Sequence, residues 1–178
     1  MIENFDEIYD LMEEAFPESE YRTYENQKKL FEKKEYKVIT EKNEDGEIIA
    51  FLAYWKFKEF YFIEHIAVSS KCRGGGIGSK IMRRFIESAN MPIILEIEPP
   101  IDEISNKRRS FYEKLGFKFC EYEYFQIPLR ENTKPMRLNI MSYPILISIT
   151  DFERFKKKIY ENVYEVNKNE YLKMKNRT

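Results

Sequence analysis

The chain has 178 residues, enough for one domain with a sizeable core. Its 30 basic and 31 acidic side chains leave a formal charge of −1, which gives no electrostatic support to general polyanion or nucleic-acid binding. Two cysteines, Cys72 and Cys120, cannot build a disulfide framework, no apolar run approaches a membrane span, and the acidic start Met1–Asp10 is unlike a signal peptide. A soluble, cytoplasmic protein is expected, without membrane association.

Residues 3–16 place Phe5, Ile8, Leu11, Met12, Ala15 and Phe16 at helical spacing, and Pro17 ends that helix. The loop Phe16–Arg22 follows, then a second helical pattern to about Lys33. Tyr36–Thr40 and Ile48–Phe57 read as strands joined by a turn at Asp45-Gly46. Phe60–Val68 is a strand rich in aromatic and branched residues. Ile77, Ile81, Phe85 and Ala89 then mark the buried face of a helix that Met91-Pro92 breaks. Ile93–Glu98 forms the next strand, ended by Pro99-Pro100, and Ile101–Ile104 reads as an insertion. Ser105–Phe117 is a short helix closed by Gly116. Lys118–Ile127 and Arg137–Tyr143 are the last strands. Asp151–Val166 is a helix with Phe152, Phe155, Ile159 and Val163 on one face, open to covering the sheet or to mediating a homodimer. Residues 1–166 are expected to form one domain and 167–178 a polar tail that frays.

Between the strand at Phe60–Val68 and its following helix lies Arg73-Gly74-Gly75-Gly76-Ile77-Gly78. A glycine run opening a helix leaves free N–H groups at the positive end of the helix dipole, an anion site suited to phosphate. Two common phosphate motifs fail on spacing. Gly74 is followed five residues later by Ser79 and then Lys80, which breaks the P-loop pattern. A dinucleotide fingerprint fails in both registers, meeting Ser79 or Ile81 where it needs Gly or Ala.

What remains is [R/Q]-x-x-G-x-[G/A], met by Arg73, Gly76 and Gly78. With the preceding HIAVSSKCR, it resembles the acyl-CoA pyrophosphate loop of the GNAT superfamily of N-acyltransferases. Tyr112-Glu113-Lys114-Leu115-Gly116-Phe117 resembles the downstream helix of the same family, and the resemblance spans roughly residues 1–128. It implies an α/β (α+β) fold: a mixed, mostly antiparallel sheet of about six to seven strands flanked by helices, with acyl-CoA at a splayed central strand. It implies acetyl-CoA as co-substrate and no metal. The cofactor would meet the backbone of Ile66, Ala67 and Val68 and the loop Arg73, Gly74, Gly75, Gly76, Ile77, Gly78 and Ser79. The family often has an Asn seven residues before the tyrosine; here Ser105 stands there, with Asn106 one residue late.

Attack of an amine on a thioester needs a neutral amine and a proton for the departing thiolate. Tyr112, a phenol protonated at neutral pH, is by this resemblance the proton donor. Glu64, Glu96 and Glu98 are acids within otherwise apolar strands. Alternation puts Glu96 and Glu98 on one side with Ile94, and Glu64 on a face with Phe62, Ile66 and Val68. Glu64 and Glu96 are equal candidates for a general base, with Glu98 as a substrate contact behind them. A salt bridge with Arg109 or another helix arginine is the structural alternative. His65, the one histidine, reads as packed rather than catalytic. The resemblance makes Glu18, Glu20, Tyr21 and Tyr24 acceptor contacts, and the acidic residues favour a cationic amine: polyamine-like, aminoglycoside-like or a peptide amine. Acetyl transfer to a primary amine by direct attack is the expected function. The alternatives are a silent acyl-CoA-binding sensor or assembly module, and an interaction protein with an empty loop.

Overall fold

The computed structural model describes residues 4–166, so the expected tail at 167–178 lies outside the described residues. Six strands, β1 (Tyr36–Lys42), β2 (Ile48–Lys56), β3 (Tyr61–Val68), β4 (Ile93–Ile97), β5 (Lys118–Gln126) and β6 (Met136–Tyr143), form one sheet in the order β1-β2-β3-β4-β6-β5. Every neighbouring pair is antiparallel except β3 and β4, which run parallel. A parallel pair needs a crossover, supplied here by the glycine loop and the helix after it.

The β3–β4 ladder is short. Only Tyr61, Phe62 and Ile63 pair, with Ile93, Ile94 and Leu95, and beyond that point the strands part. A bulge lies at the same level. Ala53 pairs with His65 but Tyr54 with Ile63, so Glu64 is an extra residue on β3. The bulge corrects the expected alternation. Phe62 and Ala67 belong to the core on one face, while Ile63 and Ile66 pack on the other. Val68 follows Ile66 and meets Gly78 across the crossover. Glu64 therefore keeps company with Phe62 but not with Ile66 or Val68.

Helices α1 (Phe5–Ala15), α2 (Tyr24–Leu30) and α5 (Ile149–Asn162) cover one face, and α3 (Ile77–Ser88) and α4 (Glu103–Lys114) the other. α1 stops before Pro17, with Phe16 extended, because a residue preceding proline leaves the helical region. α4 begins inside the stretch expected as an insertion. Asp102 accepts from the Ser105 amide at 2.7 Å, and Ser105 returns a bond to the Asp102 amide, forming a capping box. α5 starts two residues earlier than expected, where Ser148 caps Asp151, and ends at Asn162 rather than Val166. Its Phe152, Phe155 and Ile159 are buried against the sheet, each contributing roughly 1.5–3 kcal/mol of burial. Covering the sheet is thus the role of this helix in the monomer.

Candidate functional site: a cleft between two parting strands

The glycine loop comes first in the chain. Ser70–Cys72 make one tight turn, after which Gly74 and Gly76 take φ of +85° and +76°. Among the described residues, no backbone amide from Arg73 to Ser79 donates to a backbone carbonyl; the first helical bond of α3 is Lys80 N to Gly76 O, 2.9 Å. These amides form an open cluster at the positive end of α3, fit for the phosphates of a coenzyme A moiety. Arg73 Nε donates to Val68 O at 3.2 Å, so this side chain ties the loop to the end of β3. Among the described residues, a Cβ at Gly76 would meet nothing within 4 Å, and the constraint seen there is the positive φ. Gly76→Ala is expected to strain the loop by about 1–2 kcal/mol. Relief of that strain in the free protein would weaken coenzyme A binding about tenfold, as read by calorimetric titration.

From the point where β3 and β4 separate, a cleft of about 410 Å³ opens. β3 supplies Ile63–Val68, β4 and its end supply Leu95–Glu98, and α4 supplies Arg108, Phe111 and Tyr112. Ser69 N donates to Ile49 O of β2. By alternation, Ala67 turns its main chain to β2, whereas Ile66 and Val68 turn theirs to the open edge. Ile66 and the Val68 amide are therefore turned to where an extended ligand could pair, the Val68 carbonyl already accepts from Arg73, and the main chain of Ala67 is turned away.

Tyr112 reaches the cleft from α4. Its ring sits edge-on to Phe111 and Phe117, and among the described residues nothing hydrogen-bonds its hydroxyl. Burial pushes its pKa up to about 12 against the opposing charge of Arg108. The phenol stays protonated with its O–H free to donate.

The two equal carboxylates of the sequence have different surroundings. Glu64 Oε1 accepts from Arg22 Nη1 at 2.6 Å and Oε2 from Trp55 Nε1 at 2.8 Å. Burial opposes its ionisation, but the Arg22 charge and these bonds overcome it and hold its pKa below the usual range. Its partner is thus Arg22, not Arg109, which pairs with Glu113 on its own helix. Glu96 has no basic partner within bonding distance among the described residues. Both its oxygens accept from the Tyr164 hydroxyl, at 3.0 and 2.9 Å. Burial raises its pKa to about 7, opposed by the tyrosine hydroxyls of 124 and 164. Tyr124 Oη lies beside this carboxylate without completing a hydrogen bond.

His65 packs its ring on Phe16, as expected, and its Nε2 donates to Glu20 O at 2.8 Å. Burial lowers its pKa, and Nδ1 has no partner among the described residues. Glu20 and Glu98 both line the cleft. Burial and then the Glu98 charge push the Glu20 carboxyl upward, while Glu98 itself pairs with Arg108.

Other expected contacts lie elsewhere. Glu18 pairs with Arg130, Tyr21 is buried beneath the same guanidinium, and Tyr24 donates to Asp6 at 2.6 Å; none lines the cleft. Ser105 is spent on the α4 cap, and Asn106 Nδ2 donates to Asp102 O at 2.7 Å, so neither reaches the cleft. Residues the sequence did not single out are Arg22, Arg108 and Tyr164. Arg22 ends the loop that carries the expected acceptor contacts Glu18, Glu20 and Tyr21, and Tyr164 lies in a stretch that reads as the end of a helix. Nothing local marks either one. Among the described residues, no group of three or more His, Cys, Asp or Glu could hold a metal ion, and no helix is long and apolar enough to cross a membrane.

Comparison with known proteins agrees with this fold. The model of the Acetyltransferase (GNAT) family matches residues 5–117. YjbC of Bacillus subtilis (strain 168), a protein assigned to the acetyltransferases, is 28% identical over 160 residues, covering 88% of this chain and 80% of that protein. A solved GNAT-family structure from Bacteroides thetaiotaomicron is 30% identical with a TM-score of 0.85, covering 93% of this chain and 94% of that one. The ribosomal-protein-S18-alanine N-acetyltransferase from Escherichia coli shares the fold at 17% identity, with a TM-score of 0.62 over 83% of this chain and 92% of that one. The chain belongs to the GNAT family of acetyltransferases, enzymes that draw their acyl group from acyl-CoA.

Proposed function

We propose that the protein moves an acetyl group from acetyl-CoA to a primary amine by direct attack, with Glu96 as general base and Tyr112 as general acid. The observation that carries this reading is that Glu96 from β4 and Tyr112 from α4 line one cleft together with Arg73 and Gly78 of the glycine loop. Glu96 takes a proton from the attacking amine. Tyr112 gives a proton to the sulfur as the C–S bond breaks. The main chain of Ile66 and Val68 orients the extended arm of the donor, and the amides of the glycine loop hold its phosphates. Glu64 is the weaker base, because its charge is stabilised by Arg22 and both oxygens are occupied. Glu20 and Glu98 at the acceptor end favour a small cationic amine or a peptide amine.

The test is release of free thiol from acetyl-CoA against polyamines, aminoglycosides, amino acids and short peptides. Turnover with one amine class is expected, together with thermal stabilisation by coenzyme A. Absence of both would remove the reading of the loop and the cleft together. The acid limb of kcat should have its midpoint near pH 7, where Glu96 ionises, with the rate falling about tenfold per unit below it. In Glu96→Gln that limb should vanish. A limb that persists unchanged would assign the base elsewhere.

A further inference from the structure

We propose that Tyr164 is a positioning residue for Glu96, so that the segment after α5, outside the stretch matched by the family model, is part of the acetyl-transfer site. The inference rests on the reading of Glu96 as base. One hydroxyl lies within bonding distance of both oxygens of that carboxylate, at 3.0 and 2.9 Å, which sets the direction in which the group points. Among the described residues, this carboxyl at the splayed end of β4 has no other completed side-chain bond to set its orientation. The hydroxyl also favours the ionised form, because it donates to charge.

The segment carrying Tyr164 is anchored at several points. Arg22 Nη2 donates to Val163 O at 2.9 Å while Nη1 of the same guanidinium holds Glu64. Val163 and Val166 are buried, Val166 N donates to Tyr160 O at 2.8 Å, and Lys33 pairs with Glu165. The Tyr164 ring leans on Tyr160 at 6.0 Å between centroids. The tyrosine is therefore delivered to Glu96 by a fixed backbone and not by a free tail.

Four groups face Glu96 from the elements around it: Tyr164 from the C-terminal segment, Tyr124 from β5, Glu64 from β3, and Arg22 from the loop before α2. Glu64 raises the Glu96 pKa and Arg22 lowers it, and the two act in opposite directions as a bonded pair. The two hydroxyls remain as the adjustable influence, and only that of Tyr164 is bonded.

The experiment is a titration of the Glu96 carboxyl carbon by NMR on 13C-labelled protein, the resonance being assigned by its loss in Glu96→Gln. The wild-type midpoint is expected near 7. Tyr164→Phe keeps the ring and removes the bond, and should raise the midpoint by about one unit. The acid limb of kcat should move by the same amount in the same direction, with coenzyme A stabilisation unchanged. Tyr124→Phe should move the midpoint less. A midpoint near 7 that Tyr164→Phe leaves in place, or that Tyr124→Phe moves as far, overturns the role of Tyr164 while sparing Glu96 as base. A wild-type midpoint in the ordinary carboxylate range overturns both.

Discussion

Replacing Tyr112 by Phe is expected to lower kcat by about 10²–10⁴-fold, the usual span for a general acid, with little change in coenzyme A affinity or folding. The separation of effects follows from where the ring and the hydroxyl go. The ring is 6% exposed and packs edge-on to Phe111 and Phe117, contacts that phenylalanine preserves. The hydroxyl has no bonded partner among the described residues, so its removal orphans no other group. What is lost is the O–H proposed to protonate the departing sulfur. Because burial holds the phenol near pKa 12, the wild-type rate should show no loss from Tyr112 ionisation below about pH 10. Thiol release under saturating amine, beside a coenzyme A thermal shift, makes the measurement. A rate within about threefold of wild type would remove Tyr112 from the proton path and leave it a packing residue.

The parts of this site that were legible in the sequence are those governed by local backbone chemistry. Gly74, Gly76 and Gly78 announce an open loop because a glycine run before an amphipathic helix has few other uses. Glu96 stands out as a charge between Leu95 and Ile97, and alternation places it on the face opposite its neighbours, as found. The bulge at Glu64 was not legible. A two-residue period has no mark for one extra residue, and that single insertion moved Ile66 and Val68 to the other face. Asp102 and Ser105 do carry the spacing of an N-terminal cap, yet the preceding prolines make that stretch read as an insertion. Arg22 and Tyr164 are separated from their partners by 42 and 68 residues, so only the fold brings them together.

Arg22→Ala should destabilise the protein by about 3–5 kcal/mol, because it leaves the Glu64 carboxylate buried and uncompensated. In the wild type the two side chains are only 8% and 5% exposed, and the guanidinium serves Glu64 and the Val163 carbonyl at once. For a chain of this size that loss corresponds to a fall of roughly 6–20 °C in Tm. The pH dependence separates an unpaired charge from mere lost packing. Glu64 is held below its usual pKa in the wild type, so its pairing stabilises the fold above about pH 4.5 and is lost as pH falls through the depressed value. With Arg22 gone, burial is no longer opposed by its charge, and the Glu64 pKa should rise above that of the unfolded chain. The variant then loses stability as pH rises, so the gap to wild type should be wider at pH 8 than at pH 5 in urea unfolding. Arg22→Leu combined with Glu64→Leu should recover much of the deficit, since an apolar pair leaves no buried charge behind. A gap equal at both pH values, with no recovery in the double variant, would mean that this pair is solvated in solution and that the carboxylate at the β3 bulge is not held by Arg22.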